Sequence, residues 1–181
     1  MFDSGKIRTV KPIAEPKHVK FKSGLSTKTY RFDTPDQLTL PMLSTVKNVS
    51  SRIAYDDKHT VGFLSFMFRS GFWRIINRPM FKGLRHSLLY NPCEGGSHEF
   101  LLTLRGKGTD GLHKHVRASL LDDEGQTHMT ALGGVIQVER ALTLRGNTQI
   151  DPGITFSECH ENVDIALTTL QEHGIKISIE S

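Results

Sequence analysis

Two alternating runs flanking a glycine-rich string constrain this chain more than any other feature of its sequence. Phe100, Leu102 and Leu104 alternate with Leu101, Thr103 and Arg105, as a strand with one apolar face requires. Further on, Val116, Ala118 and Leu120 alternate with His115, Arg117 and Ser119, and Asp122-Asp123-Glu124-Gly125 closes that run as a turn. Between them Gly106-Lys107-Gly108-Thr109-Asp110-Gly111 fits G-x-G-x-x-G, the pattern of a dinucleotide-binding loop. Such a loop works only where a strand feeds the glycines and a helix leaves them, because the pyrophosphate sits on the N–H groups that open the helix. Leu112, Val116 and Leu120 also stand at helical spacing, so the run after the glycines admits both readings. A dinucleotide loop further needs a second strand ending in an acidic residue about 20 residues on. Asp122 and Asp123 come too early. The expectation is a hairpin over 98–121, with glycine and aspartate serving the positive φ of its turn.

The 181 residues suffice for one domain with a substantial core, and 37% hydrophobic with 23% charged residues is ordinary for a globular chain. Cys93 and Cys159 show no C-x-x-C spacing, which reads as reduced thiols in a cytoplasmic protein. The start, Met-Phe-Asp-Ser-Gly-Lys, has no apolar stretch of the kind a secretory signal needs. A net charge of +4 suits an anionic partner such as a phosphate-bearing cofactor, a nucleic acid or a membrane surface. The basic residues from Lys6 to Lys28 are nevertheless interleaved with strand residues, so they read as a solvated strand face, and no nucleic acid is expected as a partner.

Residues 1–58 read mainly as strands, at Lys6–Val10, Lys17–Lys22, Lys28–Phe32 and Val46–Tyr55, with a short helix from Thr34-Pro35-Asp36 to about Leu43. Residues 60–90 are apolar and basic helices. Thr60–Ile76 is the most apolar region of the chain, but Arg69 and Arg74 interrupt it short of the roughly 20 residues of a membrane span. A second helical stretch opens at Pro79, with Arg74, Arg78, Lys82 and Arg85 in one helical sector. These helices are expected to pack on a sheet or a partner domain; the alternative is a non-catalytic interaction or membrane-peripheral module lying on an anionic surface. Residues 127–181 read as a helix from about Met129 to Leu144 capped by Thr127, a turn at Asp151-Pro152-Gly153, a helix over Ser157–His173 ended by Gly174, and a strand over Ile175–Ile179. Gly133-Gly134 suggests a close approach to that first helix or a frayed first turn. Strands and helices without regular β-α-β repetition give an α+β fold, a mixed but mainly antiparallel sheet covered by helices, in a single domain without a Rossmann nucleotide-binding domain.

The histidines suggest no metal. His113 and His115 would share a strand face, and Cys93, His98, Cys159 or His160 could add ligands, but the spacing matches no zinc pattern. Cys159 and His160, adjacent on a helix, point about 100° apart and make no catalytic dyad. Asp56-Asp57, Asp122-Asp123-Glu124 and Glu158 with Glu161 read as solvated turns and helix starts, not as acid/base pairs.

Thr127-His128-Met129-Thr130-Ala131, the helix after it, Asp151-Pro152-Gly153-Ile154-Thr155-Phe156-Ser157-Glu158 and Leu170-Gln171-Glu172-His173-Gly174-Ile175 together resemble the C-terminal part of saccharopine dehydrogenase-like oxidoreductases. Gly5-Lys6-Ile7-Arg8 and the basic strands up to Thr34-Pro35-Asp36 resemble the segment that follows the family's nucleotide domain. Ser157, Ile154 and Gly133-Gly134 depart from the family's Pro, Val and Ala. The resemblance implies a substrate-side and dimerisation domain of an NAD(P)-dependent oxidoreductase, inactive by itself because NAD(P) belongs to a Rossmann domain outside residues 1–181. It implies as partners a Rossmann-domain chain or a second copy in a homodimer. It places no catalytic residue. For a ligand surface we take Arg105, His115 and Arg117, polar groups on strands, with Thr130 and Gly133 at a helix start suited to an anion.

Overall fold

A computed structural model describes the chain apart from residues 12, 44, 55–57, 90–94, 150–152, 154–155 and 158–161, and apart from the side chains of 43, 58–61 and 88–89. Chain contacts divide it into two compact units, Met1–Lys20 with Leu25–Cys93, and Phe21–Gly24 with Glu94–Ser181. Every strand pair among the described residues is antiparallel, and helices lie outside the sheets, which makes the fold α+β.

The first unit holds β1 (Phe2–Asp3) paired with β2 (Lys6–Ile7), and a three-stranded sheet of β3 (Lys17–Lys20), β4 (Ser26–Arg31) and β5 (Arg52–Ala54) in that order. The strand expected over Val46–Tyr55 contributes only β5, because the backbone of Lys47 and Val49 bonds to Gly5 and Phe2 instead of to the sheet. Tyr55 itself lies outside the described residues. Glu15 gathers the loop before β3: Arg8 and Arg31 reach its carboxylate at 2.5 and 2.9 Å, and Arg52 donates to its carbonyl oxygen at 2.6 Å. Thr27, Thr29 and Gln37 are buried, with the Thr29 hydroxyl donating to the Lys17 carbonyl and the Gln37 amide to the Phe32 carbonyl.

After α1 (Asp36–Leu43) come α2 (Lys58–Arg69), α3 (Phe72–Ile76), a 3-10 turn at Pro79–Phe81 and α4 (Lys82–Leu89). The expected helix pair is thus three helices, because Gly71 takes φ 79° and ends the run of α2. Contacts run from α2 to α3 and from α3 to α4, with the rings of Phe68 and Trp73 at 4.6 Å. Arg85 donates to the carbonyls of Ile76 and Arg78, satisfying groups that the end of α3 leaves open.

The second unit is built on β6 (His98–Lys107), β7 (His113–Asp122) and β8 (Lys176–Glu180), with β7 central. Ten register pairs from His98↔Asp122 to Lys107↔His113 join β6 to β7, and five from Leu121↔Lys176 to Arg117↔Glu180 join β7 to β8. Phe100, Leu120 and Ile177 fall in line on one face, as do Leu102, Ala118 and Ile179. Helix α5 (Gln126–Ala141) turns Leu132, Ile136 and Arg140 inward at i, i+4, i+8 and packs on β7 and on α6 (Val163–Glu172). The fully buried Thr169 of α6 donates to Glu139 of α5 at 2.9 Å. The last helix was expected to begin at Ser157; Asn162 precedes its first turn, and the expected turn at Asp151-Pro152 lies outside the described residues.

Phe21–Gly24 belong to this unit through Glu99, whose carboxylate accepts the backbone N–H groups of Lys22 and Ser23 at 2.8 and 3.0 Å. Lys22 Nζ in turn reaches Glu180 at 2.8 Å and the Ser178 hydroxyl. Burial works to raise the Glu99 carboxyl, but its hydrogen bonds from Ser23 and Lys22 and the charge of Arg117 outweigh it and hold the group below its usual 4.5. A carboxyl whose folded value lies under its unfolded value stabilises the fold fully above the unfolded value, and that contribution is lost as pH falls through the folded one. Glu99→Gln should therefore lower the thermal midpoint at neutral pH and reduce the loss of stability on acidification. Thermal melts of both proteins across the acid range check this, and parallel pH curves would contradict it.

Candidate functional site

The register of the hairpin decides which polar side chains stand together. On β6, Glu99, Leu101, Thr103, Arg105 and Lys107 share a face, opposite Leu121, Ser119, Arg117, His115 and His113 of β7. Arg105 and His115 are therefore direct cross-strand partners, with Cβ atoms about 5 Å apart by sheet geometry, and Arg117 stands opposite Thr103. Arg117 also pairs across β8 with Glu180. The Lys22 hydrogen bond, then the Lys22 charge, and to a lesser degree the charge of Arg117 hold the Glu180 carboxyl below its usual value.

Toward the turn the character of this face changes. Lys107 faces His113 and Arg105 faces His115, all four exposed, and among the described residues of the sheet no acidic one shares that end of the face. The carboxylate nearest in sequence, Asp110, is taken up by Lys114 at 2.9 Å and by the Leu112 N–H at 3.1 Å. Its carboxyl is held low by the hydrogen bond from Lys114 and then by that from Leu112. Arg105 and Lys107 are next neighbours on this face of β6, and an anion placed beside them relieves the repulsion between their like charges.

The glycine string forms the turn itself. The Gly108 N–H donates to the Leu112 carbonyl at 2.8 Å, the Gly111 N–H to the Gly108 carbonyl at 2.9 Å, and Gly111 takes φ 75°. A strand leaves the glycines, so no helix N-terminus lies where a dinucleotide loop would present one.

Helix α5 begins earlier than expected. Thr127 lies inside it, and the residue at its start is Gly125, with φ 95° and ψ −177° and without a side-chain cap. That conformation is open essentially to glycine alone. An ideal Cβ on Gly125 would stand 2.9 Å from the Gly96 carbonyl oxygen. Thr130 consequently sits past the first turn, its hydroxyl donating back to the Gln126 carbonyl at 2.8 Å. Gly133 lies deeper still, exposed, with open space where a Cβ would go, so neither a frayed turn nor a close neighbour accounts for it. The register sets the sheet residues Arg105 and His115 opposite one another. The helix residues Thr130 and Gly133 stand apart from the helix start that was to unite them with an anion.

Sequence reasoning passed over the polar centre that does occupy this helix start. Asp122, read as part of a solvated acidic turn, is buried, accepts the Glu124 N–H at 2.9 Å and lies 3.0 Å from His128 Nδ1. Glu124 stands 3.9 Å from the other ring nitrogen of His128. An aspartate two residues before a backbone N–H and six before a histidine, across a glycine, is the only signal in the sequence that marks this arrangement, and it follows no periodic pattern. The buried carboxylate leaves the start of α5 unsuited to an anion. Among the described residues no three His, Cys, Asp or Glu side chains converge as metal ligands; Cys93, Cys159 and His160 lie outside them.

The sequence matches no protein-family model, and comparison with curated proteins and with solved structures gives no significant match.

The two glycines give opposite expectations. Gly125→Ala should destabilise the protein by about 1–3 kcal/mol, through a backbone conformation that alanine rarely adopts and the close carbonyl of Gly96. Gly133→Ala should stabilise it, by up to about 1 kcal/mol, since the helix interior is open there. Urea unfolding of both variants measures the difference, and a destabilised Gly133→Ala would reveal a neighbour at that position.

Proposed function

We propose that residues 1–181 are the substrate-side and dimerisation domain of a saccharopine dehydrogenase-like, NAD(P)-dependent oxidoreductase, inactive without a nucleotide-binding domain. The observation that carries this reading is the two-faced sheet β6–β7–β8, closed by the helices and final strand on which the resemblance rests. One face carries Arg105, His115 and Arg117, suited to an anionic substrate group. The other carries a row of large apolar side chains still exposed to solvent, Phe100, Leu102 and Leu104 on β6 and Ile179 on β8, suited to a second domain or a second copy. Hydride transfer requires the reactive carbon of a nicotinamide held against the substrate. In this reading the domain supplies the substrate's position, and the cofactor comes with the Rossmann partner.

Two measurements test the reading. The purified chain, titrated with NADPH and NADH and followed by fluorescence, should show no saturable binding in the micromolar range; saturable binding would overturn the assignment of the cofactor to another domain. A separately expressed Rossmann domain of the same family should restore hydride transfer when mixed with the chain. In that mixture Arg105→Ala with His115→Ala should raise KM about tenfold, the loss of one charge-assisted contact, with kcat little changed.

A further inference from the structure

The helical stretch of the first unit carries an inference of its own, independent of the oxidoreductase reading. From Lys58 to Cys93 the sequence contains no Asp or Glu, while it carries Lys58, Arg69, Arg74, Arg78, Lys82 and Arg85. Arg85 is engaged by backbone carbonyls of the turn after α3. Arg69, Arg74, Arg78 and Lys82 are exposed.

The apolar side chains of the same stretch are exposed beside them. In α2, Leu64 and Met67 are buried, whereas Phe63 and Phe66, 61% exposed in the case of Phe66, share a sector of roughly 120° with Arg69 at 100° per residue. The helix thus buries one apolar side and carries a second apolar pair on its solvent side beside Arg69, where polar residues are usual. The pattern continues with Phe72 and Ile75 exposed in α3 around Arg74, and with Met80 78% exposed between Arg78 and Lys82. The principal contacts of α2, α3 and α4 run to one another, and none of the described helices is long and apolar enough to cross a membrane.

We propose that α2–α4 form a docking surface for an anionic phospholipid bilayer, with the apolar side chains inserted below the headgroups and the arginines and lysine among the phosphates. Charge selects this occupant. A two-fold contact with a second copy of the same surface would set arginine against arginine, with no carboxylate in the stretch to neutralise them. A nucleic acid would neutralise the cations and could stack on Phe63, Phe66 or Phe72, but it would leave Ile75 and Met80 in water. An anionic bilayer meets both requirements at once, apolar depth under a negative surface.

Trp73, the single tryptophan of the chain, lies within α3 and reports on the surface directly. The full chain should co-sediment with vesicles of phosphatidylcholine and phosphatidylglycerol, with Trp73 emission shifted to shorter wavelength, and should stay in the supernatant with phosphatidylcholine alone. Added salt should weaken the binding. Replacing Arg69, Arg74 and Arg78 by Gln should weaken it about fivefold per cation removed. Phe66→Ser with Met80→Ser should weaken it about tenfold or more. Both sets of substitutions fall on exposed positions, so an unchanged circular dichroism spectrum is expected and confirms that the variants fold. The proposal is overturned if the chain ignores anionic vesicles, if it binds neutral vesicles equally, or if folded variants bind as the parent does. A lipid-free self-association that shifts Trp73, or tighter binding to a single-stranded oligonucleotide than to vesicles, would reassign the surface to a second copy or to a nucleic acid.

Discussion

The second unit depends on the position of β7. Bonded along both edges, it fixes the register of β6 over ten pairs and of β8 over five. A slip of one residue in either pairing would exchange the faces of that strand. Phe100, Leu102 and Leu104 would then lie among the charges of Arg117 and Glu180, and Arg105 would join the apolar face. The five-residue loop from Gly108 to Leu112 prevents this by setting the pairing at its first rung, and the Glu99 carboxylate, satisfied by two backbone N–H groups, anchors the face near the other end. The chemistry available to this sheet is thus a consequence of turn geometry before it is a property of any side chain.

What could be read in the sequence follows from how local each signal is. The hairpin is legible because a period of two and a glycine turn are both contained in neighbouring residues, and the α+β class follows from such segments taken together. Helix α5 is legible as an apolar stripe, but its start is not. Thr127 has the chemistry of a cap, yet the helix opens at Gly125 because that residue alone can take φ 95° beside the Gly96 carbonyl. Asp122 was hidden for the opposite reason. A run of acids followed by glycine has the composition of a solvated turn, and only the return of the chain as α5 brings His128 onto the first of them. The adjacency of Arg105 and His115 was half visible: both lie on polar positions of their strands, but their pairing requires the loop length, which the spacing of glycines alone leaves open.

The glycine string shows why a motif needs its context. Of its three glycines only Gly111 takes a positive φ, which a dinucleotide loop and a hairpin turn can both require, while Asp110 does not take the positive φ expected of it. The two structures part at the next element. Here β7 continues from the turn as the central strand of the ladders with β6 and β8, whereas a phosphate site needs unpaired N–H groups at the head of a helix.

The distribution of polar and apolar residues bears on both functional proposals. Large apolar side chains exposed singly on a surface carry little meaning, but buried polar groups and contiguous apolar exposure do. In this chain the two occur together. Thr29, Gln37, Asp122 and Thr169 are buried and hydrogen-bonded. Meanwhile Phe100, Leu102 and Leu104 along one strand, and Phe63 and Phe66 along one helix, face solvent. Satisfied polar contacts of this kind contribute about 1 kcal/mol each and specify geometry more than they add stability. A chain that orders its interior with hydroxyls and carboxylates, and leaves rows of leucine and phenylalanine outside, has placed its unspent hydrophobic free energy at surfaces. In the two proposals that energy is released on contact with a second body: for the sheet a protein domain, and for the acid-free helices a surface that is negative above and apolar below.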